Sequence, residues 1–271
     1  MINRSIITLL TDFGVADEYV GVMKGVILSV NPSATIIDIS HQIDPQDLVQ
    51  AAYFIKSYHE YFPKGTVHVV VVDPGVGSDR AIIALEMKGY TYLVPDNGVL
   101  TLIMEGGNID SIICVDNSSY FLGFVSQTFH GRDIFAPVAA QLSMGGEIKK
   151  LGTPIGQRDL VRLSVPKPFL ADKNELVGTV VSIDHFGNLI TNIDLNSLEM
   201  LYSSSQAKGL EIMIGESKIT GLSKSYNRAK SQKPLAIIGS RAFLEIAVNG
   251  GSARRHFMAE KGDTIRVVSA D

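Results

Sequence analysis

From its amino end the chain alternates short apolar runs with stretches whose apolar residues recur at helical spacing. Ile6–Leu10, Thr35–Ile39, Val67–Val72, Tyr92–Val94 and Ile112–Val115 are short, apolar and rich in β-branched or aromatic residues, and read as strands. Tyr19–Val30 and Asp47–Tyr58 carry apolar residues three and four apart, and Asp133–Leu142 does so after an N-terminal turn; these read as helices. Strands alternating with helices predict an α/β domain with a mainly parallel central sheet. At Val165-Pro-Lys-Pro-Phe169 two prolines break both patterns. Beyond them Leu176–Ile183, Leu189–Ile193, Leu210–Ile214, Leu235–Ile238, Phe243–Val248 and Thr264–Val268 follow closely, with turn residues and no long helical pattern between them. That texture predicts a smaller all-β barrel or sandwich. The expected organisation is an α/β domain over residues 1–165 and a β-rich domain over residues 172–271.

Composition narrows the classes of function. With 271 residues, 45% of them hydrophobic, the chain can bury a sizeable core. A net charge of −4 with scattered Lys and Arg offers no basic stripe to neutralise a phosphate backbone, so nucleic acid is not an expected partner. No apolar run approaches the ~20 residues that span a bilayer, so no membrane partner is expected either. The amino terminus lacks the charged start and long apolar core of a signal peptide, and the lone Cys114 sits in the apolar run Ser111-Ile-Ile-Cys-Val115 as a small hydrophobe. A cytoplasmic protein is the expectation.

Four acids stand where strands end: Asp12, Asp38, Asp73 and Asp96. In a mainly parallel sheet those ends share the edge where ligands bind, although Asp before Gly also simply makes turns. Asp73 carries more weight, because it follows the apolar run Val67-His-Val-Val-Val-Val72 and a carboxylate at a core edge needs a partner. Arg80, seven residues on across Pro74-Gly-Val-Gly-Ser78, could fold back toward it; a weak surface pair is the plainer alternative. His130, in the polar loop that opens the helix near Asp133, could orient a nucleophile or take its proton. Phosphate-loop, nucleophile-elbow, His-Glu-x-x-His and paired-cysteine signatures are all missing.

With those residues in view, most of the chain resembles the S-adenosylmethionine hydroxide adenosyltransferase family, the adenosine-forming S-adenosylmethionine hydrolases related to fluorinase and chlorinase. The resemblance runs through Thr11-Asp-Phe-Gly14, Val72-Asp-Pro-Gly-Val-Gly77, Pro95-Asp-Asn-Gly98, Phe129-His-Gly-Arg-Asp133, Ser182-Ile-Asp-His-Phe-Gly-Asn188 with Thr191-Asn192, and Gly239-Ser-Arg241. It implies water attack at the ribose C5′ carbon of S-adenosylmethionine, giving adenosine and methionine. Asp73, Arg80 and His130 match the set that holds the water, with the proton acceptor left open. Asp12 matches the ribose-diol clamp, Asp184 a partner for the methionine ammonium, and Ser240 and Arg241 contacts to its carboxylate. Asn188 matches the adenine reader, and Phe186 and Tyr226 match aromatic positions that pack on the base.

The resemblance implies no cofactor and no metal, the adenosylmethionine being the substrate. It also implies a homotrimer with sites between subunits. Two other readings stay open. One is 5′-halogenation, weakened by Gly131 standing where the fluorinase has its halide-contacting serine and by the missing insertion between Met87 and Thr91. The other is a module that binds adenosine or S-adenosylmethionine without turnover.

Overall fold

The computed structural model describes residues 6–105, 107–172, 174–204 and 209–270. The chain divides into two compact units, Met1–Leu163 and Ser164–Asp271.

The first unit runs β1 (Ile6–Thr11), α1 (Tyr19–Val30), β2 (Thr35–Ser40), α2 (Leu48–Tyr58), β3 (Val67–Val71), β4 (Ile82–Met87), β5 (Tyr90–Pro95), α3 (Thr101–Met104), β6 (Ile109–Val115), α4 (Ala136–Ser143) and β7 (Gly152–Pro154). One sheet orders them β2-β1-β3-β5-β4-β6-β7. β2, β1, β3 and β5 are parallel neighbours, whereas β4 pairs antiparallel with β5 and β6, and β7 with β6. Thus β6 runs with the parallel set and only β4 and β7 oppose it.

The valines of β3, interrupted only by the buried His68, follow from cover on both faces. Val69 and Val71 pack with Met23 and Ile27 of α1 and Val138 of α4. Val70 and Val72 pack with Ala51 and Ile55 of α2 on the other side.

β4 was not anticipated. Its sequence Ile-Ile-Ala-Leu-Glu-Met is rich in good helix formers. What fixes it as a strand is the two-residue turn Lys88-Gly89, both at positive φ (53° and 78°), which returns the chain as a hairpin into β5. The helix expected from Asp133 starts earlier and differently: Gly131–Phe135 form a π-helical turn, with the Ala136 N–H donating to the Gly131 carbonyl, before α4 continues. Cys114 is half-buried on β6, less enclosed than its apolar neighbours suggest.

In the second unit the order is β8 (Phe169–Asp172), β9 (Glu175–Ile183), β10 (Leu189–Asp194), α5 (Leu195–Ser204), β11 (Gly209–Ile214), β12 (Ser217–Thr220), β13 (Pro234–Ile238), β14 (Phe243–Val248), α6 (Ala253–Phe257) and β15 (Thr264–Ala270). The sheet order is β12-β11-β15-β9-β10-β14-β13, with β8 added on β9, and every pairing is antiparallel. The Ser223 N–H donates to the Ala236 carbonyl (2.7 Å), tying the segment after β12 to β13 and curling the sheet nearly into a barrel.

Leu210, Ile212 and Ile214 alternate inward along β11. Two helices interrupt the expected all-β texture. α5 starts where Asp194 accepts from the N–H and hydroxyl of Ser197 (2.9 and 2.7 Å), and it buries Leu198 and Leu201. α6 is capped by Ser252, which accepts from the Arg255 N–H. Among the described residues no helix is long and apolar enough to cross a membrane.

Candidate functional site

Where the parallel neighbours β1 and β3 end, the chain leaves the sheet at Asp12 and Asp73, and both acids line a cavity of about 660 Å³. Phe13, Tyr19 and Phe129 form one wall, their rings meeting edge-on or tilted at 5.1–6.0 Å.

Asp12 is held by a strap. Its Oδ2 accepts from the Gln46 N–H (2.9 Å), and the Gly14 N–H donates to the His41 carbonyl (2.7 Å). The His41 ring joins the same strap to the strand end, with Nδ1 2.9 Å from Thr11 Oγ1 and Nε2 3.1 Å from Asp38 Oδ1. Lys24 closes the chain on Asp38 Oδ2 at 2.5 Å. Asp38 therefore supports the strap and is not among the cavity residues.

Asp96 likewise stays out of the cavity. It accepts from the Val161 N–H (3.0 Å), and burial pushes its carboxyl up. Its neighbour Asn97 donates to the Val72 carbonyl (2.9 Å), which fixes the backbone just ahead of Asp73. His41 escaped the sequence reading, since a single histidine in a polar loop carries no signature; its one clue is the spacing of three from Asp38.

Arg80 does fold back. Its Nε donates to Asp73 Oδ1 and Oδ2 (3.0 and 2.9 Å), and Nη2 also bonds Oδ2. The pair is not the weak surface contact weighed above: the side chains are only 5% (Asp73) and 11% (Arg80) exposed. Nη2 also approaches His130 Nδ1 at 2.9 Å. A guanidinium can only donate, so Nδ1 is the acceptor and the neutral imidazole carries its proton on Nε2. Burial, then the Arg80 charge, lowers the His130 pKa from its ordinary value and keeps the ring in that neutral form.

The turn between Asp73 and Arg80 is docked onto the loop that leads to His130. Gly77 has φ +78°, and a Cβ there would sit 2.2 Å from the Gln127 carbonyl oxygen, so glycine is what lets the two loops touch. Behind His130, the buried Asp133 accepts from the Ser126 N–H (2.8 Å) and from Arg132 Nε (2.6 Å), ordering the approach to the π turn. Gly131 is buried, and a Cβ would press on Met23 Sδ, Phe129 and Phe13 at 3.1–3.4 Å. Among the described residues no group of three or more His, Cys, Asp or Glu is arranged to hold a metal ion.

The other expected residues come together in the second unit, around a cavity of about 670 Å³ lined by Asp184, Phe186, Asn188, Tyr226, Ser240 and Arg241. Asp184 opens the turn from β9 to β10. Its Oδ1 accepts from the Phe186 and Asn188 N–H groups (both 2.9 Å), and its Oδ2 accepts from Asn188 Nδ2 (2.9 Å). That turn leaves the Phe186 ring 74% exposed, a flat apolar face against a polar pocket.

Tyr226 donates through its hydroxyl to Glu245 Oε1 (2.6 Å), and burial together with this carboxylate pushes the phenol up to about 12. Glu245 also lines the cavity, and the sequence reading passed over it. Its signal was visible all the same, as one acid inside the apolar strand Phe-Leu-Glu-Ile-Ala-Val.

Comparison with known proteins identifies the family of both units. A family model described as SAM hydroxide adenosyltransferase N-terminal domain matches residues 7–152, and one described as SAM hydroxide adenosyltransferase C-terminal domain matches residues 178–266. The (R)-S-adenosyl-L-methionine hydrolase of Methanocaldococcus jannaschii is 36% identical, covering 97% of this chain and 95% of its own length. That of Thermus thermophilus is 32% identical, over 96% and 98%. A fluorinase from an Actinoplanes species is 28% identical, over 99% of both. Among solved structures, an uncharacterized conserved protein from Thermotoga maritima superposes with a TM-score of 0.89 at 36% identity, covering 97% of this chain and 99% of that one.

Proposed function

Because the chain belongs to the SAM hydroxide adenosyltransferase family, we propose that it is a cytoplasmic hydrolase converting S-adenosyl-L-methionine and water to adenosine and L-methionine. The observation that carries this reading is that Asp73 and His130, both bonded to the Arg80 guanidinium, line one cavity with Asp12.

The substrate is already activated, since its sulfonium leaves as a neutral thioether and needs no acid. What the protein must supply is a nucleophile aligned opposite the C5′–S bond, and such alignment contributes on the order of 7–11 kcal/mol in favourable cases. Asp12 clamps the ribose diol, a carboxylate being able to accept from both hydroxyls. Arg80 favours hydroxide character in the bound water. His130, with Nδ1 engaged by Arg80, offers its Nε2–H as a donor that aims the oxygen. As the O–C5′ bond forms, the C5′–S electron pair leaves on sulfur. The proton from water passes to Asp73, which keeps acceptor capacity beyond its bonds to Arg80.

In the second unit, Arg241 and Ser240 take the methionine carboxylate, Asp184 lies on the ammonium side, and Asn188, Phe186 and Tyr226 receive the adenine. No cofactor or metal enters this scheme, because no phosphoryl or carbonyl charge develops, and turnover is expected to survive chelation, as adenosine release in excess chelator would record. We also propose a homotrimer in which each site draws its two cavities from different subunits.

Halide transfer has less support. The fluorinase relatives are the more distant of those compared, and any side chain at Gly131 would crowd Met23 and Phe129. The test is product analysis in heavy-oxygen water. Label in the adenosine 5′-hydroxyl with release of methionine is expected. A halide-dependent 5′-halo product, or binding with no product, overturns the hydrolase.

A further inference from the structure

Two carboxylates face the second-unit cavity, and they differ in how much bonding capacity is left. Asp184 accepts three hydrogen bonds from its own turn, from the N–H groups of Phe186 and Asn188 and from the Asn188 amide. Glu245 is the more enclosed residue, 6% exposed. Its Oε1 accepts from Tyr226 at 2.6 Å, and its Oε2 accepts no hydrogen bond among the described residues. That oxygen lies over the backbone of Gly239, where a Cβ would stand 2.4 Å from it, immediately before Ser240 and Arg241. A carboxylate oxygen that meets no donor keeps its capacity to accept one. Here it opens on a cavity that also holds a guanidinium.

We propose that Glu245 is a further substrate-binding residue, its Oε2 taking the α-ammonium of the amino-acid portion while Arg241 takes the carboxylate. The assignment rests on the S-adenosyl-L-methionine reading above and adds Glu245 to Asp184 on the ammonium side, Asp184 also shaping the turn which presents Phe186 and Asn188. Tyr226 becomes the positioning residue of the pair: its hydroxyl pins Oε1 and turns Oε2 toward the ligand. Burial and then the nearby Asp184 push the Glu245 carboxyl up. A cation seated against Oε2 relieves that burden.

The test measures binding by calorimetry alongside turnover, in the full-length protein, with S-adenosyl-L-methionine, its desamino analogue and adenosine. The native protein is expected to bind the desamino analogue about tenfold or more weakly than S-adenosyl-L-methionine, the loss of one charge-assisted contact. Glu245→Gln should collapse that preference to within about threefold and leave adenosine binding within about twofold of native. It should raise KM much more than it lowers kcat.

An undiminished preference in Glu245→Gln overturns the inference, as does an equal loss for adenosine, which would move Glu245 to the base. Should the Gln variant fail to fold, Tyr226→Phe carries the test and is expected to narrow the same preference. Failure of the hydrolase reading looks different: the native protein binds S-adenosyl-L-methionine with the ammonium preference intact but releases no adenosine. No binding by the native protein overturns both.

Discussion

At Arg80 one guanidinium serves two partners, Nε bridging both oxygens of Asp73 while Nη2 reaches His130 Nδ1. A lysine keeps the charge but has neither the planar fork nor the reach to serve both. Arg80→Lys is therefore expected to lower kcat about a hundredfold or more with a small change in KM, read from steady-state release of adenosine. The same geometry sets a pH dependence. His130 titrates below its ordinary value of 6.5, and protonation puts a hydrogen on Nδ1, which expels the Arg80 bond. Activity should be flat through neutral pH and fall on the acid side with a midpoint below 6.5, as a pH profile of kcat/KM would record. The stability effect has a definite sign: between the lowered folded value and 6.5 the unfolded chain binds more proton. Stability from this group is therefore full above 6.5 and is lost as pH falls toward the folded value. Replacing His130 with Asn should flatten that part of a urea-midpoint against pH plot. Arg80, Asp73 and His130 were all legible as residue types at strand and helix ends. Glu245 and His41 were not singled out, because one is a single acid in an apolar strand and the other a single histidine in a loop.

Two loops hold the chemistry in place, and each has an element behind it. The segment after β2 straps the end of β1 through His41, Gly14 and Gln46, so that Asp12 is fixed by contacts made some 30 residues away in sequence, Thr11 to His41 being separated by 30. His41→Ala removes the link between Asp38 and Thr11. Its expected effect is a rise of about tenfold in KM with a smaller change in kcat, since the proposed ribose clamp loosens while the proposed water site stays intact. The turn after β3 docks on the loop ahead of the π turn at Gly77, and Gly77→Ala brings both a positive-φ penalty and a backbone collision. Destabilisation of about 1–3 kcal/mol in urea unfolding is expected, with a loss of kcat as Arg80 separates from His130. Elements buried on both faces, such as β3, could be read from the sequence as nearly continuous apolar runs, His68 being the one polar position in this strand. β4 could not, because its composition suits a helix and only the Lys88-Gly89 hairpin turn commits it to the sheet. α5 was missed for a related reason: a ten-residue helix with two buried leucines gives a short signal beside strands of similar apolar content.

Across the molecule each compact unit carries its own cavity, the first with Asp12, Asp73 and His130, the second with Asp184, Ser240 and Arg241. In the proposed homotrimer with sites drawn from two subunits, Arg80→Ala and Arg241→Ala chains are each inactive alone. Unfolded together and reassembled, they should recover activity in about a quarter of the sites, where an intact first unit meets an intact second unit from another chain. Recovery is read as adenosine release, and none is expected if each chain builds its site alone. The sequence by itself determined the apolar strands and amphipathic helices, the change of texture at the paired prolines, and the short polar motifs at strand ends, because periodicity and turn chemistry are local properties. Only the tertiary structure decided which of four strand-end acids line the first cavity. Asp12 and Asp73 turn into the cavity, while Asp38 is taken by Lys24 and His41 and Asp96 by the Val161 backbone. It likewise decided that Arg80 lies largely enclosed between Asp73 and His130, and that the less saturated carboxylate of the second cavity is Glu245. Those outcomes depend on which donors long-range packing brings within 3 Å of each oxygen, and sequence separation carries no record of that.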